Sequence, residues 1–282
     1  MLFLQTLWEG IVNGSIYAMI AMGIALVWGV MGILSFSQGE FMMLGMFITF
    51  YANTYLGLDP VVCVPIVGLL MFGFGCIVYR TIIAKALRGP RLSQRLITFA
   101  VGMVLTYGAL MLFGGQYRTV QSLAFTGSID LAGLTISRQK LVPLIIALVM
   151  VAFMYIFLNK TMIGKAIQAT SQDKQAAELV GIDSETTYMV AFGLSSALAG
   201  IAGCAITYYF PVYYTAGAAF LLFGFIAVLL GGVGSTFGAL VGGLGHGHES
   251  EVVDGFERIR GHHALLEHAV EESAAAARHR GP

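Results

Sequence analysis

Seven stretches of this 282-residue sequence stay apolar for about the length a helix needs to cross a bilayer. The hydrocarbon layer is about 30 Å thick, which takes roughly 20 helical residues. The runs lie near 10–31, 36–56, 61–80, 96–115, 141–158, 188–209 and 218–241. Such a pattern leaves few folds open. In lipid every backbone N–H and C=O must find its partner within the protein, which restricts spanning segments to helices or a closed barrel. Long continuous apolar runs favour the helix. The expectation is an all-α, polytopic membrane protein with about seven transmembrane spans in a lipid bilayer. A 57% hydrophobic content, 11% charged residues and a mean hydropathy of +0.82 exclude an ordinary soluble domain. The 36 glycines suit close approach of helices in lipid.

Lys and Arg in the connecting segments set the expected orientation. One set of alternate loops holds Arg80, Lys85, Arg88, Arg91, Arg95, Lys160, Lys165 and Lys174; the other holds only Arg118, Arg138 and Lys140. Eight against three places 80–95 and 159–187 in the cytoplasm and the N-terminus outside. The start of the chain has no basic n-region and no small-residue cleavage site, so it reads without a removable signal. Cys63, Cys76 and Cys204 lie in apolar runs without disulfide or metal spacing and read as packing residues.

Several polar or small residues interrupt the runs. The first span carries Asn13, Gly14, Ser15, Tyr17, Gly23 and Gly29, which suggests a packing face. Glu40 follows Ser35-Phe36-Ser37-Gln38-Gly39. An acid in such surroundings sits at an interface, lines a wet cavity or pairs with a donor, and the plainer alternative is a helix-start carboxylate. Asn13, Ser35, Gln38 and Glu40 are the candidate substrate-pathway residues. In the sixth span, Ser196-x3-Gly200 and Ala199-x3-Gly203 are small-x3-small pairs for helix packing. Tyr208, Tyr209, Tyr213 and Tyr214 around Pro211 fit an external interfacial belt. Gly89-Pro90 turns the basic 81–95 loop, and 125–140 reads as an external β-hairpin about Ala132-Gly133, with Ile129, Leu131, Leu134 and Ile136 alternating. That hairpin suits either a contact with a substrate-delivering protein or a passive cover over the helices.

The longest soluble interruption before residue 245 is Asn159 to Tyr188. It alternates charges with apolar Ile167, Ala176, Ala177, Leu179 and Val180. Thr170 or Ser171 is expected to cap a short amphipathic helix opening on Gln172 and Asp173, and Gly181 to close it. Chemistry alone leaves an ordinary polar loop as an equal alternative.

Spacing favours a docking helix. Gln175-Ala176-Ala177-Glu178-Leu179-Val180-Gly181 resembles the Glu-Ala-Ala-x3-Gly signature of ABC-importer permeases, with Gln at the first acid. Gly164-Lys165-Ala166, Asp173 and Gly181-Ile182 resemble the version in branched-chain amino-acid permeases of the LivH/LivM type. The 32–41 stretch is similar to that family's Asn-Phe-Ala-His-Gly-Glu segment, with Ser35 for Asn, Ser37 for Ala and Gln38 for His. Gly231-Gly232-Val233-Gly234-Ser235-Thr236-Phe237-Gly238 onward resembles the family's Gly-Gly-x-Gly-Ser-x-x-Gly block; without Gly-Lys-Ser/Thr it is no phosphate loop. The resemblance covers residues 1 to about 245. It implies that 159–187 is a coupling helix seated on an ATPase subunit, with Gly164, Lys165, Asp173, Ala176, Ala177, Glu178 and Gly181 as the coupling residues. Gly200, Gly203, Gly231, Gly232, Gly234, Ser235 and Gly238 are the candidate helix-packing residues. The implied partners are a second permease subunit, two ATPase subunits and an external substrate-binding protein, at the bacterial cytoplasmic (inner) membrane. No nucleic-acid partner, cofactor, metal or catalytic residue is expected, and ATP hydrolysis would belong to the partner.

Two segments result: a transmembrane permease domain at 1–245 and a charged, His- and Ala-rich tail at 246–282. The tail holds all six histidines. Three readings compete there: a metal site, for which His246-x-His248 and His262-His263 lack supporting carboxylates; a regulatory extension; and a frameshift, which would turn Met-Gly-Met codons into His-Gly-His and remove the eighth span that the resemblance implies. The functional expectation is a permease subunit of an importer for branched-chain amino acids. The rival is a stand-alone secondary transporter or channel for small amphipathic solutes, which would need buried ionisable residues for ion coupling.

Overall fold

The computed structural model describes residues 2–120, 128–131, 134–232, 238 and 242–243. Gly234, Ser235 and the 246–282 tail lie outside the described residues. The apolar runs are helices whose ends follow local chemistry. Helix α1 (Leu2–Met31) is closed by Gly32 at φ +67, whose N–H reaches the Trp28 carbonyl at 2.9 Å. After a short non-helical link, α2 (Gln38–Leu56) runs to Gly57, again left-handed. Asp59 caps α3 (Pro60–Val78) by accepting from the Val61 N–H, and Pro60 occupies the first turn, where its missing N–H costs nothing. A π turn (Tyr79–Ile83) and the short α4 (Ala84–Ala86) lead through Gly89-Pro90 into α5 (Arg91–Phe113). Strands β1 (Ser128–Leu131) and β2 (Leu134–Ser137) pair antiparallel, with Ile129 opposite Ile136 and Leu131 opposite Leu134. Helices α6 (Arg138–Lys160), α7 (Met162–Gln172), α8 (Lys174–Leu179), α9 (Ser184–Ile206) and α10 (Ala216–Gly231) complete the described chain. Apart from that hairpin the described elements are all helical.

The bundle is built around α9. Every residue from Ala191 to Ile206 is buried, enclosed mainly by α1, α2 and α3. Small side chains make this possible. A Cβ on Gly45 would lie 2.6 Å from the Gly200 Cα, and one on Gly203 would lie 3.0 Å from the Met42 carbonyl carbon and overlap its oxygen. These backbones touch, so only glycine fits. Ser195 donates to the Gly23 carbonyl at 2.6 Å, which ties α9 to α1. Aromatic edges fill the spaces that remain: Phe41 stands at right angles to both Phe74 and Phe192, at 5.9 and 5.8 Å.

Outside this centre the surface is apolar. Leu69 and Ile77 on α3, Val104 and Met111 on α5, and Leu148 and Ile156 on α6 are all exposed. Apolar exposure on this scale marks a lipid or protein contact. Among the described residues five segments are long and apolar enough to cross a membrane: Trp8–Met31, Pro60–Ala86, Leu92–Phe113, Gln139–Lys160 and Ser184–Ile206. This is a multi-pass membrane protein. The other two runs of the sequence differ. Helix α2 is as long but enclosed and interrupted by Gln38, Glu40 and Asn53, and α10 has 16 residues.

The two ends of the bundle differ chemically. Leu87 and Arg88 of the basic 80–95 segment line one cleft with Lys174 and Glu178 of the 159–187 segment, so both basic segments share an end. At the other end Arg118 pairs with Val212 in an isolated antiparallel bridge, donates to the Tyr51 hydroxyl at 2.7 Å and to the Phe113 carbonyl, and lies over the Phe50 and Tyr51 rings. The tyrosine belt is only partly a belt. Tyr208 is 4% exposed, donates to Asp59 and accepts from the Val61 N–H. Its hydroxyl holds the start of α3 rather than facing an interface. Lys140 reaches Glu9 at 2.9 Å and joins the start of α6 to α1.

Candidate functional site

Two places bring candidate residues together in a defined local geometry. The first is the segment between α6 and α9. Thr161 caps α7 by accepting from the Gly164 N–H at 3.0 Å. Gly164 faces the last turn of α6, where a Cβ would lie 2.6 Å from the Leu158 Cα. The glycine lets α7 fold back over that turn with Ile167 buried and Lys165 exposed. The expected single helix is in fact two. Thr170 and Ser171 do not cap anything: their hydroxyls donate to the Ala166 and Gln168 carbonyls within α7, at 2.8 and 2.7 Å. The cap is Asp173, whose Oδ1 accepts from the Gln175 and Ala176 N–H groups at 2.9 and 3.1 Å. A carboxylate outcompetes a hydroxyl already bonded to its own helix.

Helix α8 then presents two faces. Ala177 is buried against the bundle, while Ala176 and Glu178 point outward. Leu179 is 88% and Val180 78% exposed, as an apolar tip at the end of the helix. Gly181 closes it at φ +88, with the Ile182 N–H returning to the Ala177 carbonyl at 3.0 Å. Lys174 pairs with Glu178 at 3.7 Å and lies 5.6 Å from the Tyr188 ring, which steadies α8 against the start of α9. Beside it lies the cleft of about 550 Å³ shared with Leu87 and Arg88.

Asp183 begins α9. Its carboxylate accepts from the Thr186 hydroxyl at 2.5 Å and from the Glu185 and Thr186 N–H groups at 3.1 and 3.4 Å. The Thr186 hydroxyl first, then these N–H groups, hold its carboxyl below the usual carboxylate value. A depressed folded-state value means that the cap's contribution is complete at neutral pH and is lost as pH falls through that value. Amide protection at Glu185 and Thr186 is therefore expected to drop only on strong acidification in the wild type, and already at neutral pH in Asp183→Ala. Equal protection in both proteins at neutral pH would contradict this.

The second place is a cavity of about 310 Å³ between α2, α5 and the start of α10. Glu40 lines it, together with Phe36, Phe99, Thr106, Tyr107 and Tyr214. Glu40 stands in the first turn of α2, its Cγ is 3.5 Å from where a Cβ on Gly102 would be, and Thr106 lines the same cavity with its hydroxyl donating to the Gly102 carbonyl at 3.1 Å. Gly102 is the midpoint of α5 (Arg91–Phe113), so the carboxylate lies opposite the middle of a helix long enough to cross a membrane. The four pathway candidates separate here. Only Glu40 lines the cavity. The Ser35 and Ser37 hydroxyls meet each other at 3.1 Å; Gln38 is fully buried with neither its amide oxygen nor its nitrogen partnered; Asn13 accepts from the Tyr209 hydroxyl at 2.8 Å. Gly102, Thr106 and Tyr107 were not singled out from sequence, because within an apolar run nothing distinguishes a cavity wall from a lipid-facing one.

Among the described glycines of the C-terminal block, Gly231 ends α10, and Gly232 leaves it at φ +93. Gly242 returns to within reach of Gly231, and Gly243 packs on Ala18 of α1. Gly238 is also described, half-buried.

Comparison with known proteins gives one consistent result. Residues 6–256 match the family model described as branched-chain amino acid transport system / permease component. The chain is 30% identical over 256 residues to the high-affinity branched-chain amino acid transport system permease protein BraD of Pseudomonas aeruginosa, covering 86% of this chain and 83% of that protein. It is 31% identical over 270 residues to LivH of Escherichia coli, with the same coverage of 86% and 83%. To LivM of Escherichia coli it is 26% identical over 258 residues, covering 81% of this chain and 59% of LivM. No solved structure matches the chain significantly.

Proposed function

This chain belongs to the permease-component family of branched-chain amino acid transport systems, and from that premise we propose that it is a membrane-spanning subunit of an ABC importer that moves branched-chain amino acids. In this reading residues 1–245 form the permease domain in a bacterial inner membrane. A second permease subunit completes the pathway, and an external binding protein delivers the solute. Two ATPase subunits hydrolyse ATP and dock at 159–187, contacting the exposed Lys165, Asp173, Ala176, Glu178 and Gly181, while the buried Gly164 and Ala177 anchor the segment to the bundle instead of touching the partner. Residues 246–282 are read as the product of a shifted reading frame, which resequencing through codons 240–282 tests directly.

The observation that carries the proposal is α8. A six-residue helix is too short to be stable alone. Here it is capped at both ends, anchored inward by Ala177, and ends in exposed Leu179 and Val180 at the end of the bundle that carries the basic segments. Such a rigid apolar tip suits insertion into a cleft on a partner. In a pull-down of the cognate ATPase subunit, the wild-type chain is expected to retain the partner, and Gly181→Asp to reduce retention on the order of tenfold or more. Gly181 holds a left-handed conformation that a side chain strains, so the substitution moves the tip. Equal retention by both proteins would remove this docking site, and uptake without any ATPase subunit would favour a secondary transporter.

A further inference from the structure

We infer that the cavity between α2, α5 and α10 is a binding subsite for an organic ammonium group, with Glu40 as its counter-ion. This inference deepens the permease proposal and rests on it for the identity of the solute. Glu40 is 6% exposed and its Oε2 has no hydrogen-bond partner. Among the described residues no Lys, Arg or His lines the cavity. The ion pairs among the described residues, Lys140–Glu9 and Lys174–Glu178, leave Glu40 without a protein cation. A carboxylate opposite the middle of a spanning helix is costly unless something compensates it.

The fold compensates it in part. Glu40 is in the first turn of α2, and a Cβ on Gly217, in the first turn of α10, would lie 2.9 Å from its Oε2. The carboxylate thus sits beside two helix N-termini, each worth about half a positive charge. Partial charges of this kind hold the anion in place without neutralising it. The carboxylate lines the cavity while its Oε2 is buried beside Gly217 without a hydrogen-bond partner, so its charge attracts a cation there.

The walls select the kind of cation. A metal ion needs several oxygen or nitrogen ligands, and among the described residues no group of three or more His, Cys, Asp or Glu side chains could hold one. The cavity instead offers the rings of Phe36, Phe99, Tyr107 and Tyr214 around a single carboxylate. That combination suits an alkylammonium, whose charge pairs with the carboxylate and whose carbon atoms lie against the rings. A volume of about 310 Å³ is at the small end of ligand sites and fits a solute of amino-acid size. Met103 and Leu221 supply apolar contact for an aliphatic side chain. The cavity opens along α5, where Met103 and Tyr107 are exposed.

Equilibrium dialysis of the full chain, co-purified with its subunits in lipid nanodiscs, tests this with two probes. Isoamylamine has the ammonium without the carboxylate, and isocaproate has the carboxylate without the ammonium. Wild-type protein is expected to bind isoamylamine, and Glu40→Gln to weaken it about tenfold or more, with isocaproate unaffected. Ala218 is an exposed wall residue, so Ala218→Trp fills the cavity without disturbing the core and should also remove amine binding. This second variant decides the matter if Glu40→Gln does not fold. Amine binding that is absent from the wild type, or that survives both substitutions, overturns the inference. ATP-driven leucine uptake by the same preparations reads the permease proposal separately. Uptake by the wild type with Glu40-independent amine binding overturns only the subsite. Glu40-dependent amine binding without leucine uptake overturns only the proposed solute.

Discussion

Gly203→Leu is expected to leave almost no folded protein in detergent extracts. The side chain would have to enter space occupied by the Met42 carbonyl and the Met46 nitrogen, 3.1 Å from the Cβ position. Both neighbours are backbone, so no rotamer change can make room, and α2 would have to move away from α9. Overpacking costs about 1–3 kcal/mol even where side chains can adjust. Separating the two helices also opens the cluster of Met42, Met43, Met46 and Phe41 around α9, so the cost should exceed that range and approach the whole stability of an ordinary domain, ~5–15 kcal/mol. Gly73→Leu is the control, because a Cβ there meets nothing within 4 Å. Size-exclusion chromatography should show a monodisperse peak for Gly73→Leu and aggregate or no protein for Gly203→Leu. Equal peaks would mean that the α2–α9 contact is not close.

The second large effect concerns partner binding rather than folding. Leu179→Glu combined with Val180→Glu changes two residues that are 88% and 78% exposed, so the bundle itself should be untouched. If the tip of α8 enters a cleft on the ATPase, each carboxylate must lose its water on docking, at a cost of several kcal/mol unless a cation awaits it. The double variant is expected to bind the ATPase subunit on the order of a hundredfold more weakly, with an unchanged melting profile for the isolated chain. Unchanged ATPase affinity would show that α8 is an ordinary loop element.

Much of the architecture could be read from local pattern. The apolar runs became helices because length and hydropathy suffice to specify a helix in lipid. Gly181 was identifiable as the end of α8 because a glycine after an apolar-polar alternation is a strong stop signal. The strand pair of Ile129, Leu131, Leu134 and Ile136 followed from alternation about Ala132-Gly133. Where several residues compete for one role, sequence was less informative. Thr170, Ser171 and Asp173 can each cap a helix, and the choice depends on whether a hydroxyl is already bonded within α7. Tyr208 has an interfacial composition but is itself buried and donates to Asp59, the cap of a helix 149 residues away in sequence. The cavity at Glu40 was the least legible. Its walls come from α2, α5 and α10, and residues such as Gly102 and Thr106 gain meaning only once those helices meet.

The account stands most directly on one measurement: uptake of radiolabelled leucine into proteoliposomes carrying this chain with its second permease and ATPase subunits, with binding protein and ATP supplied or withheld. The account predicts leucine accumulation only when ATP and the binding protein are both present, and its loss in the Leu179→Glu, Val180→Glu variant. Leucine accumulation that persists without ATP or the ATPase subunits would contradict it.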